Sequence, residues 1–437
     1  MKSITMKNVK EFREKTEKCE NISALHSALA QSDYNDVSFI PSRASRLNEA
    51  FSLEIKTRGV TDQHNSGRCW LFSAMNIIRE RAMDTMGLDS LELSGNYLAF
   101  YDKLEKSNNF LQTVIDNTDK PLNDRMMEYI LNGIEDNGYF DMARDLINKY
   151  GVVPASVMPE TYQSNNTARF IKLQNSLLRK DASILRQAIA EGKDPYEIKQ
   201  NMLTEMYRAQ CIAFGQPPEE FDYSWRDREG NYHEEHGITP QQFYEKYINM
   251  DLDNYITVTN HPTDAQKFDA VYRFHYKGNM ADKDCKVLNV SMDELERMIL
   301  EQLRDNELVC FGCDWTMYYD QKTGIWDPDS FEYEGFMGGA DPTMSKKERL
   351  MYLDGFSTHA MVLTGVNFDK DGKPDRWKIE NSFGPEAGQN GYFACSQKFF
   401  REYVYESIIN VRYLNENQKK ALEDEPVELK PWESNSL

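Results

Sequence analysis

Basic residues are short in this chain of 437: 51 Lys and Arg stand against 71 Asp and Glu, a formal charge of −20. So anionic a surface repels phosphate backbones and anionic lipids, so neither nucleic acid nor a membrane is expected as a partner. Cysteine is sparse, odd in number and scattered, at 19, 69, 211, 285, 310, 313 and 395. A secreted disulfide framework uses paired, clustered cysteines, so reduced thiols and a cytoplasmic location are expected. No apolar run approaches the roughly 20 residues that a membrane-spanning helix needs. The opening MKSITMKNVKEFREKTEKCE mixes charge throughout and has no apolar stretch, so no secretory signal is expected.

Apolar residues make up 40% of the chain and aromatics 12%, ample for a packed interior. The length exceeds one ordinary domain, which predicts a core with a large insertion or two packed domains. Residues 1–55 read as a polar arm with short helices and a break at Pro41-Ser42. After the turn-prone run from Asp62 to Gly67, the spacing of Cys69, Phe72, Met75, Ile78 and Met83 predicts a buried helix with Cys69 in its first turn. A second helix is predicted from Met142 to Tyr150, stopped by Gly151 and Pro154.

From 160 to 220 the pattern is helical, with Phe170, Leu173, Leu177, Leu178, Ile184, Leu185, Ala188 and Ile189 along one face. Tyr223 and Trp225 before Arg228-Glu229-Gly230-Asn231 predict a hairpin, and Thr239-Pro240 a helix start. Ser291 and Glu294 form a capping-box pattern. The last third differs: 359–366, 376–381, 391–396 and 407–414 are short β-rich runs between Gly, Pro and Asp turns, so the fold class is α+β. The final stretch from Asn415 is too polar for a core strand or helix and reads as a tail.

Four residues could act together. A thiol at Cys69 would feel the positive end of its helix and unpaired N–H groups, which favour thiolate. Gln63, in the same loop, could donate to an oxyanion alongside the Cys69 N–H. His359 opens an apolar β-run from which a ring could enter a cleft; the other six histidines sit in polar or turn-like settings. Asn381, before Ser382-Phe383-Gly384, could accept from one imidazole nitrogen and aim the other at sulfur. Singly each is ordinary: a buried cysteine, a loop glutamine, a strand-end histidine, a turn asparagine. Their order and contexts together are specific.

Gln63 with Gly67-Arg68-Cys69-Trp70, Thr358-His359-Ala360-Met361 and Glu380-Asn381-Ser382-Phe383-Gly384 resemble the papain superfamily of cysteine peptidases, and within it the bleomycin hydrolase and aminopeptidase C branch. KPLNDRMMEYILNGIEDNGYFDMARDLINKYGVVP and GYFACSQKFFREYVYE extend the resemblance over most of 45–413. His359 follows Cys69 by about 290 positions, against roughly 130–150 in ordinary papain relatives, which leaves room for an insertion.

The resemblance implies a two-lobed papain-like fold: an arm at 1–55, a helical lobe at 56–160 and a mainly helical insertion at 161–344. A β lobe at 345–413 and a C-terminal arm at 414–437 directed to the active site complete it. It implies peptide substrates, no cofactor and a ring-shaped homohexamer. It makes Cys69 the nucleophile, His359 the base, Asn381 its orienting partner and Gln63 the oxyanion donor. Asn137 and Gly138 stand where the branch has Gly-Gly pairing with substrate, and Phe383 where it has Trp. The C-terminal carboxylate of Leu437 would bind a substrate amino group. The end, Pro431-Trp432-Glu433-Ser434-Asn435-Ser436-Leu437, is shorter than usual and lacks Asp-Pro, so endopeptidase action is an alternative and a silent peptide-binding ring a third. Cys310-x-x-Cys313 suggests metal, but positions three apart on a strand face opposite ways and no second pair is near, so none is expected.

Overall fold

The computed structural model describes residues 3–18, 21–47 and 50–436, the last three by backbone alone. Cys19 and Leu437 lie outside the described residues. Two helices dominate the first half. Cys69–Met86 is stopped by Gly87 at φ 66°, a left-handed end that glycine reaches without strain. Gly95–Asp116 is capped by the Ser94 hydroxyl, which accepts from Tyr97 N–H. Phe140–Tyr150 packs against both and ends at Gly151. Ala168–Ala190 and Pro195–Phe214 form an antiparallel pair, but their buried faces differ from the predicted one. Leu178, Ala182, Leu185 and Ala188 are buried while Leu173 and Ile184 are exposed, because the apolar run is broader than the face the partner helix covers.

Among the described residues, twelve strands join one sheet. Its order is Val427–Leu429, Ala270–Phe274, Cys285–Asn289, Tyr255–Thr259, Val404–Asn410, Val309–Cys313, His359–Phe368, Pro374–Glu380, Tyr392–Ser396, Ile325–Trp326 and Tyr319–Asp320, with Leu53–Glu54 beside His359–Phe368. This corrects the expected limits of a mainly helical insertion at 161–344. Residues 255–313 contribute four strands to the sheet that carries His359, and Val309–Cys313 lies directly between two strands of the expected β lobe. The expected boundary failed because these strands are runs of only five residues that mix apolar and polar positions without strict alternation, too short for periodicity to separate from helix.

Smaller expectations were met or revised locally. The hairpin is Phe221–Arg226 against Tyr232–Ile238, and Thr239 and Gln242 form a reciprocal capping box. The Ser291 hydroxyl accepts from Glu294 N–H, but the Glu294 carboxylate turns to Arg297 and Gln418 instead of completing the box. Pro41 starts a short helix, Pro41–Ala44, where a break was expected. The tail is also structured: Glu416–Glu423 is helical and Val427–Leu429 is an edge strand parallel to Ala270–Phe274. An edge strand needs only backbone pairing and one covered side, so its polarity hid it.

The sheet's main core holds Val309, Val362, Trp377 and Phe399, a second surrounds the Cys69 helix, and a third lies among the helices near Phe110 and Leu185. The Cys69 helix packs on the His359 strand, and there the site forms.

Candidate active site

Cys69 is the first residue of its helix, and no side chain caps the N–H groups of that turn. The preceding loop is tied down from outside. Gly67 N–H donates to Asp136 Oδ2 at 2.8 Å, and Lys103 Nζ and Thr167 Oγ1 reach the same carboxylate at 2.6 and 2.7 Å. Burial pushes the Asp136 carboxyl up, but Lys103 and these hydrogen bonds outweigh it and hold the group well below the usual range. Arg68, buried, pairs with Glu160 at 3.0 Å. Trp70 Nε1 donates to the Asp136 carbonyl at 3.0 Å, fixing the ring beside the thiol.

A Cβ on Gly138 would stand 2.7 Å from the Trp70 ring, so only glycine allows this approach. Asn137 is exposed; its amide donates to Glu135 at 2.7 Å and its carbonyl accepts from Lys106 Nζ at 2.7 Å. Both residues line a cavity of about 400 Å³ that also holds Trp432. Arg125 lies over the Trp432 ring at 4.6 Å.

Across the cleft, His359 and Asn381 are both buried, and His359 Nε2 lies 2.7 Å from Asn381 Oδ1. An amide oxygen only accepts, so Nε2 carries the proton and Nδ1 is left as the basic nitrogen. Ser382 N–H donates to the same Oδ1 at 2.8 Å. The Ser382 hydroxyl donates to Gln63 Oε1 at 2.7 Å, while Gln63 Nε2 donates to the Ser66 carbonyl at 2.8 Å. Ser382 thereby orients the His partner and Gln63 together, and one Gln63 N–H stays available. Phe383 stacks on the imidazole at 4.7 Å and 16°, and Trp315 adds a second wall at 5.5 Å.

The two halves meet at the sulfur. The backbone N–H groups of Trp70 and of Ala360, the residue after His359, act on the half-buried thiol and favour its anion. Burial nevertheless pushes the thiol up, and the Glu406 and Asp136 carboxylates add to this. Burial likewise pulls His359 down to about 4, against the Asn381 bond. The thiolate expected from the helix terminus alone is therefore opposed. Burial thus disfavours a lone thiolate and a lone imidazolium alike, and the arrangement that would favour both charges is a thiolate–imidazolium pair. Such a pair can add sulfur to a carbonyl and return a proton to a leaving amine.

The structure sets the Cys69 thiol against the amide next to His359, and joins His359 to Asn381 and Asn381 to Gln63 through Ser382, while Asn137 and Gly138 line a neighbouring cavity; Leu437 lies outside the described residues. His64 turns to solvent and pairs with Asp62 at 3.2 Å. His261 is buried against Tyr405, and its backbone N–H donates to Asn289 Oδ1 at 2.9 Å. Cys310 and Cys313 are buried in one strand, where Cys310 Sγ donates to the Ser73 carbonyl. Sequence reasoning missed Asp136, Trp315, Ser382 and Glu406. Ser382 was within the quoted motif; the others act over long sequence separations and left no local signal.

A helix-terminal thiol opposite a strand-borne histidine and its asparagine defines a papain-like cysteine peptidase. The chain belongs to the Peptidase C1-like family, which it matches over residues 3–436. It is 41% identical over 395 residues to an Aminopeptidase C of Listeria monocytogenes, covering 90% of this chain and 89% of that one. It is 38% identical over 435 residues to an Aminopeptidase G of Lactobacillus delbrueckii subsp. lactis, with 99% of each covered. The crystal structure of PepW from Lactobacillus rhamnosis HN001 matches with a TM-score of 0.95 at 36% identity, over 99% of this chain and 98% of that one. Among the described residues, no helix is long and apolar enough to cross a membrane.

Proposed function

We propose that this protein is a thiol aminopeptidase of the bleomycin hydrolase type. The observation that carries the reading is the His359–Asn381 bond at 2.7 Å, one residue from the amide that reaches the Cys69 sulfur. Cys69 passes its proton to His359 and attacks the peptide carbonyl. The developing oxyanion takes hydrogen bonds from the Cys69 N–H and the free Gln63 N–H. His359 then protonates the departing amine as the C–N bond breaks, leaving a thioester. Water, deprotonated by His359, cleaves the thioester and restores the thiol.

Asn137 and Gly138 offer backbone groups to the substrate, and the Leu437 carboxylate receives its free amino group. The resemblance supports a homohexameric ring built through the arm and insertion, with the strands of 255–313 counted in the β lobe. The free thiols among the described residues favour a cytoplasmic location. Peptides with free and N-acetylated ends, incubated with wild type and Cys69→Ala, test the reading. Release of single N-terminal residues from free peptides only, abolished in Cys69→Ala, is expected. Internal cleavage of acetylated peptides would favour an endopeptidase, and no cleavage a silent ring.

A further inference from the structure

Ten positions beyond Cys69, about 15 Å from it along the helix axis, the same helix carries Arg79. Its guanidinium is buried and meets Glu380, the last residue of the strand Pro374–Glu380 and the neighbour of Asn381. Arg79 Nη2 donates to Glu380 Oε1 at 3.2 Å, and the same nitrogen donates to the Gly59 carbonyl at 2.9 Å. Gly59 opens the loop that runs through Gln63 to the start of the helix. One nitrogen thus joins the helix of Cys69, the loop of Gln63 and the strand that delivers Asn381.

Both side chains are almost fully enclosed, 2% and 1% exposed. Taking two ions out of water is costly, and a contact through one nitrogen offsets less of that cost than a bidentate fork. Arg79 Nε has no hydrogen-bond partner among the described residues, which adds to the cost. The second acid near Arg79, Glu80 at 3.7 Å, is taken by Arg58, whose backbone N–H and Nε reach it at 2.8 and 2.9 Å. Glu380 is therefore the carboxylate left to Arg79. An apolar pair of similar volume would hold helix and strand together at least as well. What the ions supply instead is direction: a charged hydrogen bond fixes where the strand end sits on the helix, and apolar contact does not.

Resting on the peptidase reading, we propose that Arg79 and Glu380 are positioning residues, whose ion pair sets the Cys69 helix, the Gln63 loop and the Asn381 strand in the mutual arrangement that the reaction needs. A misplacement of about 1 Å between reacting groups lowers turnover roughly 100-fold. The loss falls on kcat more than on KM, because the substrate's own contacts are untouched. The pair exists only while Glu380 is ionised. Burial pushes its carboxyl up to about 7, with Glu80 adding to this, while Arg79, Thr57 and Lys378, itself paired with Glu54, pull the other way. Tyr392, hydrogen-bonded to Thr57, and Cys310 in the strand Val309–Cys313 face the same carboxyl as neutral groups. As pH falls through about 7 the acid takes up a proton, Arg79 loses its counter-charge and the arrangement loosens. The His359 ring titrates near 4, so the two effects are separate along the pH axis.

The test compares full-length wild type with Glu380→Gln and with the double variant Arg79→Met/Glu380→Leu, which replaces the ions by an apolar pair. Hydrolysis of an amino-acid amide with a free amino end gives kcat and KM from about pH 5 to about pH 9, and urea unfolding gives stability. Hydrolysis by wild type, lost in Cys69→Ala, establishes the peptidase reading separately. The double variant is expected to unfold at the wild-type urea concentration or above it, yet to lose kcat about 10- to 100-fold with KM little changed. Glu380→Gln keeps the shape and mimics the protonated acid. Its kcat should stay at the level that wild type shows on the acid side, without the rise through about 7. This variant decides the matter even where the double variant fails to fold. A double variant with wild-type kcat, a kcat loss that only follows a loss of stability, or a Glu380→Gln profile that still bends near 7 overturns the proposal. Absence of hydrolysis by wild type overturns both readings.

Discussion

At pH 7 the buried His359 ring is neutral, because burial lowers its pKa from 6.5 to about 4 and the Asn381 bond only partly opposes this. The unfolded chain titrates near the ordinary value, so between these two values the unfolded state binds more protons. The stability associated with the neutral ring is complete above about 6.5 and lost as pH falls through about 4. Urea titrations of wild type and His359→Gln should diverge accordingly, the wild type losing roughly 3 kcal/mol more between pH 7 and pH 4. Parallel losses would mean that the ring titrates normally.

Gln63 is held by Ser382 through its oxygen and by Ser66 through one N–H, leaving its second N–H for a developing oxyanion. Gln63→Ala should lower kcat about 10²–10³-fold while Cys69 still alkylates with iodoacetamide, since the donor acts on transition-state charge. Gln63 and Asn381 were picked out as candidates by residue type and order. Their coupling through Ser382 was not, because it depends on two loops that are distant in sequence.

Among the elements, the Cys69 helix was the most legible, since its apolar spacing and turn-rich lead-in are local signals. What holds its start in place is Asp136, a residue with no motif around it. Its carboxylate accepts from Gly67 N–H, Lys103 and Thr167. Asp136→Ala should destabilise the protein by about 3–5 kcal/mol in urea unfolding, because Lys103 is left buried and unpaired. Turnover should fall as well, as the loop carrying Gln63 loosens. The strands at 255–313 were illegible for the opposite reason: each is a short run of five residues, and their sheet is completed by Val404–Asn410 and Val427–Leu429, far along the chain.

At the scale of the molecule, the C-terminal arm runs along the sheet edge through Val427–Leu429 and inserts Trp432 between Arg125 and the third core. That seat shares its cavity of about 400 Å³ with Asn137 and Gly138. Trp432 is partly buried, and its packing offsets part of the entropy of ordering a polar arm, about 1–2 kcal/mol per residue. Deleting residues 431–437 is expected to leave the protein folded and to open this wall. Mass spectrometry of products should then show cleavage of N-acetylated peptides that the intact chain spares. An unchanged product pattern would remove the arm from substrate selection.

The sequence by itself determined the acidic surface, the α+β class, the Cys69 helix and the candidate set Cys69, Gln63, His359 and Asn381. Each is signalled by composition, by a short-range period or by a motif in order along the chain. Only the tertiary structure decided that residues 255–313 build the histidine's sheet, and that Asp136 and Ser382 hold the two halves of the site. It also decided that burial withholds charge from thiol and imidazole alike. These depend on strand register and on desolvation, which arise when distant segments exclude water from one another and which no local pattern encodes.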